Sequence, residues 1–320
     1  MYAMILSAGL ATRLLPLSNS RPKALVPLRG VTMLEFWVER LYRHGFDAAF
    51  LNAYHLKDRL TTAVSERKWP IPVKVLREEV LLGTGGGMKS AAELVENEPF
   101  AVVNVDVISD ANLNSLLERH KLSGAGVSLL LHDWPEFNHV AVNEEGLVLG
   151  FGQETKEIQK RVSGVRMMAF TGIHFINPSA LADVAAGVPA DIIAIYRKLI
   201  SRGAFPRAIT QKDLFWREMG TVQSYIKVTR ELARIETGRL LPFKTGENIS
   251  ADPQTVIPPD CSLKGSVVAG RGVRICEGVS LEDVILWDDV RIEKGSSLKD
   301  CVVADGMNVS GSHSGKILAP

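Results

Sequence analysis

The sequence after Pro259 repeats its apolar residues with a period of six. Glycine and other small or turn-forming residues lie between them, and the phase is interrupted at Arg291 and Ser297. The apolar positions of the repeat are Val267, Val273, Val279, Ile285, Val303 and Val309. A six-residue period gives one short strand and one turn per repeat, so successive repeats stack into a β-helix with an apolar interior. We therefore predict a β-helix of about three coils, with an ordinary β-sandwich as the alternative.

The first part of the chain has a different rhythm, in which short apolar runs alternate with amphipathic ones. This alternation is typical of a parallel sheet covered by helices. Predicted strands lie at residues 2–6, 48–52, 73–76, 100–103, 127–131, 140–143 and 171–176. Predicted helices lie at residues 32–44, 56–67, 88–95, 111–122, 190–201 and 222–236. The sequence thus predicts an α/β, Rossmann-like domain with a mixed central sheet, which binds ligands where its strands end.

A proline-rich stretch separates the two patterns. Proline cannot extend a helix, and such a stretch is typical of a linker. The prolines are Pro242, Pro253, Pro258 and Pro259. A chain of 320 residues also exceeds the size of about 250 to 300 residues at which a single core stops growing. We predict a catalytic domain over residues 1–240, a linker over 241–259 and a β-helix domain over 260–320.

Composition excludes several classes of protein. With 46% hydrophobic and 23% charged residues, the chain can bury substantial cores and lacks the polar bias of disorder. Its formal net charge of +1 provides no global field that would attract nucleic acid or an anionic membrane. No apolar run approaches the length of about 20 residues that spans a bilayer, and the three cysteines form no Cys-x-x-Cys pair. We expect a cytoplasmic protein with neither nucleic-acid nor membrane partners.

Two short stretches near the start of the chain combine glycine, proline and positive charge. Residues 6–16 read Leu-Ser-Ala-Gly-Leu-Ala-Thr-Arg-Leu-Leu-Pro, and residues 21–27 read Arg-Pro-Lys-Ala-Leu-Val-Pro. A glycine after the first strand lets backbone N–H groups approach phosphate oxygens closely, while Arg13 and Lys23 bring positive charge to the same strand end. The spacing matches neither a Walker loop nor a three-glycine dinucleotide loop. It indicates a segment that binds polyphosphate.

These stretches resemble the signature of the sugar-1-phosphate nucleotidyltransferases, or nucleotide-sugar pyrophosphorylases. That family has Gly-x-Gly-Thr-Arg-Leu-x-Pro followed by Pro-Lys-x-x-x-Pro, and Ala11 stands here in place of the second glycine. The matching residues are Gly9, Thr12, Arg13, Leu14, Pro16, Pro22, Lys23 and Pro27. The resemblance covers nearly the whole chain and implies a nucleotidyltransferase domain. It therefore implies an enzyme that joins a nucleoside triphosphate to a sugar 1-phosphate and releases pyrophosphate.

The resemblance assigns nucleotide binding to the first strand end and to a glycine-rich loop. Residues 82–87 read Leu-Gly-Thr-Gly-Gly-Gly after the third predicted strand, like the loop whose main chain contacts the base in that family. The residues expected to bind the nucleotide are Leu6, Ala8, Gly9, Gly83, Thr84 and Gly85. The catalytic residues implied are Arg13, which would hold the departing pyrophosphate, and Lys23, which would neutralise charge developing at the reacting phosphates.

The resemblance also implies a Mg²⁺ cofactor. Asp106, in an Asn-Val-Asp sequence, resembles the metal-binding aspartate of the family's Asn-Gly-Asp, with Val105 in place of the glycine. Glu218 stands where the family has the aspartate of Trp-x-Asp-x-Gly-Thr. Carboxylate oxygens are donors that suit Mg²⁺. The resemblance implies that the sugar is bound by Asn104, Glu154 and Thr171.

The sequence leaves the substrates open. The glycine-rich loop and the β-helix look most like mannose- or heptose-1-phosphate guanylyltransferases with a left-handed β-helix, which implies GTP with mannose 1-phosphate or a related sugar. The triple glycine also resembles the uridylyltransferase that acts on N-acetylmuramate 1-phosphate. The chain departs from the family's motifs at Ala11, Val105 and Glu218. These departures leave open a regulatory subunit with weakened catalysis that senses nucleotide sugars. The remaining alternative is acyl transfer by the β-helix, in which His313 is the one histidine. The β-helix itself is expected to serve assembly, as in a homo-oligomer.

Overall fold

The computed structural model describes residues 1–236, 238–240, 242–243 and 246–320. These residues form two compact units. The first contains Met1–Leu10 and Arg40–Trp216, and the second contains Ala11–Glu39 and Arg217–Pro320. Most of the signature segment therefore belongs to the same unit as the β-helix. The predicted boundaries at residues 240 and 260 stay predictions, and residues 241, 244 and 245 of the predicted linker lie outside the described residues.

The first unit is built around a mixed sheet that has nine strands among the described residues. In chain order they are β1 Tyr2–Leu6, β2 Ala48–Ala53, β3 Val73–Arg77, β4 Phe100–Asn104, β5 Val127–His132, β6 Asn138–Val142, β7 Val148–Phe151, β8 Arg166–Ile176 and β9 Arg207–Ile209. Their order is β7-β6-β8-β4-β1-β2-β3, with β5 paired to β8 and β9 to β5. Strands β1 to β4 run parallel, whereas β8 is antiparallel to β4, β5 and β6. The predicted mixed α/β sheet is confirmed, and the ends of β1 to β4 lie at one edge.

Helices follow most of the strands. Within the described ranges the seven α-helices are α1 Met33–Arg43, α2 Lys57–Ser65, α3 Gly83–Ala92, α4 Leu113–Ser123, α5 Thr155–Arg161, α6 Ile192–Ser201 and α7 Val222–Leu232. Leu34, Val38 and Leu41 of α1 are fully buried, as their spacing along one helical face predicts. In the part of the chain that the structure describes, no helix combines the length and apolar character needed to cross a membrane.

Two elements begin earlier than their sequences predict. Helix α3 begins at Gly83 instead of Met88, because its glycines, which are weak helix formers, are held by tertiary contacts. Strand β8 begins at Arg166 instead of Thr171, and a register shift between Phe170 and His174 interrupts its pairing with β5. Such a bulge breaks the alternation of buried and exposed residues from which strands are predicted.

The second unit contains the β-helix, which the stacking of its parallel strands confirms. In residues 246–320 one sheet contains Ile249–Ala251, Val267–Ala269, Ile285–Leu286, Val302–Val303 and Ile317–Leu318. Five stacked strands enclose four coils, one more than predicted, because the first coil begins inside the predicted linker. Val268 pairs with Ile285 and Ile285 with Val302, so these coils contain 17 residues. A 17-residue coil is one residue short of three hexapeptides, which explains why the six-residue phase is interrupted.

The turns of the β-helix use aspartate and glycine at equivalent places. Gly265, Asp283, Asp300 and Gly315 occupy one turn position in successive coils, and each has a positive φ between 50° and 64°. Glycine adopts this left-handed conformation without strain, and aspartate tolerates it because its short side chain hydrogen-bonds locally. The Asp283 carboxylate accepts a hydrogen bond from the backbone N–H of Ser266 at 2.9 Å.

Candidate active site

The segment after β1 places exposed backbone at the edge of the sheet. The N–H groups of Ser7 and Ala8 donate to Oδ1 of Asn52 at 2.7 and 3.3 Å, which fixes the chain as it leaves the strand. The next residue, Gly9, is exposed. A Cβ at Gly9 would meet no atom of the described residues within 4 Å, and its φ is not in the left-handed region. The described fold therefore does not itself require glycine there, whereas a ligand that approaches the backbone closely would.

A buried polar pair that the sequence analysis missed supports this strand end. The side-chain amide of Asn52 donates to Oε1 of Glu78 at 2.8 Å, and Oε2 of Glu78 accepts the backbone N–H of Leu82 at 2.9 Å. Both Asn52 and Glu78 are 3% exposed. The pair thus links the chain after β1 to the start of α3. Its signal in the sequence was the position of each residue at a predicted strand end, where ligands and their supports collect in α/β sheets.

The glycine-rich segment forms the first turns of α3 and not a loop. Its glycines allow close packing, since a Cβ at Gly86 would lie 2.8 Å from the carbonyl oxygen of Val188 and one at Gly87 would lie 2.7 Å from Nδ2 of Asn52. Residues with side chains do not fit at these distances. The glycines are therefore required by the packing of the helix, which is why they do not read as helix from sequence alone.

The three predicted nucleotide contacts in α3 differ in their surroundings. Gly83 is exposed, whereas Gly85 is buried and its N–H donates to the carbonyl oxygen of Ala190 at 2.8 Å. The hydroxyl of Thr84 accepts the backbone N–H of Ile192 at 3.1 Å. Gly83 therefore presents the most accessible backbone of the three. The prediction that all three contact the nucleotide stays a prediction.

The turn after β4 contains the predicted metal ligand Asp106. Leu6 of β1 is paired with Asn104, and the N–H of Val105 donates to the carbonyl oxygen of Leu6 at 3.1 Å. Val105, which replaces the family's glycine, is fully buried, and Asp106 is 8% exposed. The Asn-Val-Asp turn is thus fixed against the end of β1, with the valine side chain in the core.

The predicted sugar contacts Asn104 and Thr171 lie on neighbouring strands. The Thr171 hydroxyl donates to the carbonyl oxygen of Leu130 at 2.7 Å and its own carbonyl accepts the indole N–H of Trp216 at 2.8 Å. Gly172 has a φ of 75°, and a Cβ there would lie 2.6 Å from Nδ2 of Asn104. The Thr171 side chain therefore serves the bulge of β8, and Gly172 brings that bulge against Asn104.

The third predicted sugar contact, Glu154, is engaged in local hydrogen bonds. Its Oε1 accepts the backbone N–H of Phe151 at 2.8 Å and Nε of Arg197 at 3.0 Å. Arg197 also donates to the carbonyl oxygen of Phe151 at 2.8 Å. Glu154 thus closes the turn after β7, and about two fifths of its side chain is exposed (41%).

The second unit contains the rest of the signature. Ala11 has φ 51° and ψ 33°, the left-handed conformation that explains why the family has glycine at this position. Its carbonyl oxygen accepts hydrogen bonds from the N–H of Leu14 at 2.9 Å and from the hydroxyl of Ser18 at 2.8 Å. These bonds hold the strained residue in a short 3₁₀ turn, Thr12–Leu14. The turn carries Arg13, and Lys23 begins another 3₁₀ turn, Lys23–Leu25.

Glu218, the other predicted metal ligand, pairs with Arg13. Nη2 of Arg13 lies 3.2 Å from Oε1 of Glu218, and the Arg13 side chain is largely exposed. Carboxylate oxygens are suitable donors for Mg²⁺, which is commonly bound by one or two carboxylates together with substrate phosphates. Among the described residues no three His, Cys, Asp or Glu side chains are grouped so that they could hold a metal.

The comparison with protein families decides the family. The family model described as "Nucleotidyl transferase" matches residues 2–235, which include the signature, the glycine-rich helix and the Asn-Val-Asp turn. The chain belongs to the nucleotidyl transferase family. The resemblance to sugar-1-phosphate nucleotidyltransferases is confirmed by the relatives and covers both the mixed sheet and the β-helix.

Curated relatives of this nucleotidyl transferase differ in their substrates. Mannose-1-phosphate guanylyltransferase of Mycobacterium tuberculosis is 27% identical over 90% of the chain and 80% of that protein. UTP–glucose-1-phosphate uridylyltransferase of Synechocystis is 25% identical over 88% of the chain and 76% of that protein. N-acetylmuramate α-1-phosphate uridylyltransferase of Caulobacter vibrioides is 28% identical, over 72% of the chain and 96% of that protein. These relatives share a reaction class and differ in base and sugar.

A solved structure supports the fold of the family domain. HddC from Yersinia pseudotuberculosis superposes with a TM-score of 0.60, at 18% sequence identity, over 72% of this chain and 98% of that one. At this identity the likeness concerns the fold. The α/β nucleotidyltransferase domain predicted from sequence is thus confirmed by the family model and by the structural comparison.

Proposed function

We propose that this sugar-1-phosphate nucleotidyltransferase uses GTP and mannose 1-phosphate, or a related sugar 1-phosphate, and forms the nucleotide sugar and pyrophosphate. The observation that carries the proposal is the strand end at Gly9, where the exposed backbone faces open space. A side chain would fit there, so the described fold does not itself require glycine. A triphosphate can approach such backbone N–H groups closely. Similarity to the mannose-1-phosphate guanylyltransferase, at 27% identity over 90% of the chain, supports GTP.

The reaction needs positioning and charge neutralisation more than proton transfer. An oxygen of the sugar phosphate attacks the α-phosphorus in line, the bond from that phosphorus to the β-phosphate oxygen breaks, and pyrophosphate leaves with the bonding electrons. The sugar phosphate is already anionic, so a general base is unnecessary. Arg13 is proposed to bind the departing pyrophosphate and Lys23 to neutralise charge at the reacting phosphates.

The cofactor is proposed to be Mg²⁺. When bound, the ion would supply positive charge at the phosphates, and oxygens of the polyphosphate would help to coordinate it. Asp106 is held by its turn at the end of β4 and is suited to contribute a carboxylate oxygen. Glu218 is the other proposed ligand. Its carboxylate would have to release the hydrogen bond from Arg13 in order to bind the metal.

The proposal is tested by measuring pyrophosphate release with each of the four common nucleoside triphosphates and a set of sugar 1-phosphates. Fastest release with GTP and a manno-configured sugar phosphate supports it. Fastest release with UTP and an amino-sugar phosphate would contradict the assignment and favour the uridylyltransferase alternative. Lys23→Ala serves as the inactive reference, because removal of the charge near the reacting phosphates should lower turnover by about 10² or more.

A second candidate, a regulatory subunit that binds nucleotide sugars without turnover, is favoured by two observations. Ala11 occupies a conformation that suits glycine, and Glu218 is engaged by Arg13. Binding of GDP-mannose without pyrophosphate release from any substrate pair would support this candidate against the enzyme.

A further inference from the structure

One end of the Lys23 segment, residues 21–27, is anchored to the β-helix. Arg21 donates through Nε to Oδ2 of Asp305 at 2.8 Å and through Nη2 to Oδ1 of Asp305 at 2.7 Å. Its Nη2 also lies 3.0 Å from Oδ2 of Asp288. The side chains of Arg21 and Asp288 are each about 15% exposed (15% and 14%), so water screens this contact only partly. Two-point contacts between arginine and carboxylate fix direction as well as distance.

The other end of the same segment is anchored through a tyrosine. The hydroxyl of Tyr225, on α7, donates to the carbonyl oxygen of Pro27 at 2.7 Å and accepts the indole N–H of Trp287 at 3.0 Å. The guanidinium carbon of Arg21 lies 5.3 Å from the ring centroid of the same Trp287. Tyr225 and Trp287 are fully buried. A single β-helix side chain therefore contacts Arg21 directly and Pro27 through Tyr225.

The two aspartates have a structural role that does not account for all their contacts. They occupy equivalent places 17 residues apart, where Oδ1 of Asp288 accepts the N–H of Arg271 at 2.9 Å and Oδ1 of Asp305 accepts the N–H of Asp288 at 3.1 Å. An asparagine would supply the same acceptor. Arg21 contacts Oδ2 of Asp288 and both carboxylate oxygens of Asp305, and an asparagine would remove the charge and one of the oxygens. Although burial acts in the opposite direction, Arg21 holds the pKa of Asp288 below its ordinary value.

We propose that Asp288, Asp305 and Trp287 of the β-helix are positioning residues for Lys23. Fixed at both ends, the short segment holds Lys23 at one place within the second unit. This role gives the β-helix a part in catalysis, and it rests on the proposed function of Lys23. Because Lys23 neutralises charge that develops in the transition state, its misplacement should lower kcat more than it raises KM.

The test compares Asp305→Asn with Asp300→Asn in the full chain. Asp305→Asn keeps Oδ1, which accepts the N–H of Asp288 and Nη2 of Arg21, and removes the negative charge and the Oδ2 acceptor for Nε of Arg21. Asp300→Asn is the matched control, because Asp300 lies on the same β-helix and contacts Arg230 of α7 at 2.8 Å instead of the signature. Pyrophosphate release with saturating substrates, KM for each substrate and thermal unfolding are measured for both variants.

We expect Asp305→Asn to lower kcat about 10- to 100-fold, the effect of a displacement near 1 Å, with KM changed far less. Asp300→Asn should retain the kcat of the unaltered chain. Equal kcat values in both variants would overturn the proposal, and so would a loss that merely follows a fall in Tm. In the double variant Arg21→Gln with Asp305→Asn, the second change should add little to the first; fully additive effects would contradict the proposal.

Hydrogen exchange gives a readout that does not depend on turnover. The N–H groups of Leu25 and Val26 are bonded within the segment, to Pro22 and Lys23. They should exchange several-fold faster in Asp305→Asn than in Asp300→Asn, because the segment opens more often when an end is released. An unchanged exchange pattern would overturn the positioning role. If the unaltered chain releases no pyrophosphate with any substrate pair, the proposed function fails, whereas the exchange result still decides whether the β-helix holds the segment.

Discussion

Arg13 donates a hydrogen bond to the carboxylate of Glu218 at 3.2 Å, and Gly220 lies directly against both side chains. A Cβ at Gly220 would overlap Oε1 of Glu218 and lie 2.6 Å from Nη2 of Arg13. The arrangement of a predicted catalytic cation and a predicted metal ligand thus depends on a glycine two residues away. The signature motif of the family contains this glycine, and the contact gives it a physical reason.

Gly220→Ala should reduce activity with little loss of stability. The added methyl meets the ends of two flexible side chains, which can turn away at small cost, but Arg13 and Glu218 then leave their paired positions. We expect pyrophosphate release to fall about tenfold, a loss of about 1.4 kcal/mol in transition-state stabilisation. Gly126→Ala is the control, because a Cβ there would make only an ordinary contact of 3.7 Å. Unchanged turnover in Gly220→Ala would show that the pair is not needed.

Gly9→Ala should weaken nucleotide binding and leave folding intact. The described chain offers open space at this position and no positive φ, so the methyl costs the fold nothing. In the complex the methyl would lie where phosphates approach the backbone. Titration calorimetry with the nucleoside triphosphate should show weaker binding, while urea unfolding should match the unaltered chain. Equal affinity in both proteins would argue against a phosphate site at this strand end.

Ala11→Gly should raise the free energy of unfolding. An L-residue in the left-handed region costs about 1–2 kcal/mol, and the added freedom of glycine in the unfolded chain offsets about 0.4–1 kcal/mol of the gain. Urea unfolding should therefore show a net gain of roughly 1 kcal/mol. Ala8→Gly is the matched control, because Ala8 is buried without a positive φ and should lose stability. A loss of stability in both variants would contradict this account of the strain at Ala11.

His174 should make the protein sensitive to acid. Its ring is fully buried in β8, neither ring nitrogen has a hydrogen-bond partner among the described residues, and burial lowers its pKa to about 3, with a smaller effect of His120. The unfolded chain takes up a proton near the ordinary pKa of 6.5, and the folded chain does not until about pH 3. The free energy of unfolding should therefore fall as the pH drops through this window, by up to about 1.4 kcal/mol per pH unit.

The acid sensitivity is tested with His174→Phe, which keeps a ring in the cavity and removes the titrating group. The variant should show a smaller decline in the free energy of unfolding between pH 6.5 and pH 3 than the unaltered chain. His139→Asn is the control, because His139 is exposed and should leave the decline unchanged. An identical pH profile in His174→Phe would show that other groups cause any loss of stability in acid.

Several features of the fold could be predicted because they depend on local spacing. Alternating apolar and amphipathic runs predicted seven of the nine strands of the mixed sheet and six of the seven helices among the described residues, whereas β7, β9 and α5 were not predicted. The six-residue repeat predicted the β-helix, since each repeat must place an apolar side chain inside a coil. The ordered signature around Gly9, Arg13 and Lys23 indicated polyphosphate binding, because phosphates need close backbone and fixed positive charge, and its resemblance to the sugar-1-phosphate nucleotidyltransferases implied the reaction class.

Other features depend on contacts between residues far apart in the chain. The helical start of α3 at Gly83 was not predicted, because its glycines are selected by the backbone of Val188 and Ala190 and not by helix propensity. The buried pair of Asn52 and Glu78 joins two strand ends that only the sheet brings together. A spacing pattern contains no information on such partners, since their distance is set by packing and hydrogen bonds.

The sequence by itself determined the class of fold and the β-helix, and it predicted the residues that would bring charge to the phosphates. Only the tertiary structure decided that Ala11 is strained, that Arg13 pairs with Glu218, and that Arg21 is bound by Asp288 and Asp305. The physical reason is that motif spacing fixes local geometry along the chain, whereas a side chain's partners depend on which distant segments pack around it. In the second unit, packing joins the signature to the β-helix more than two hundred residues later.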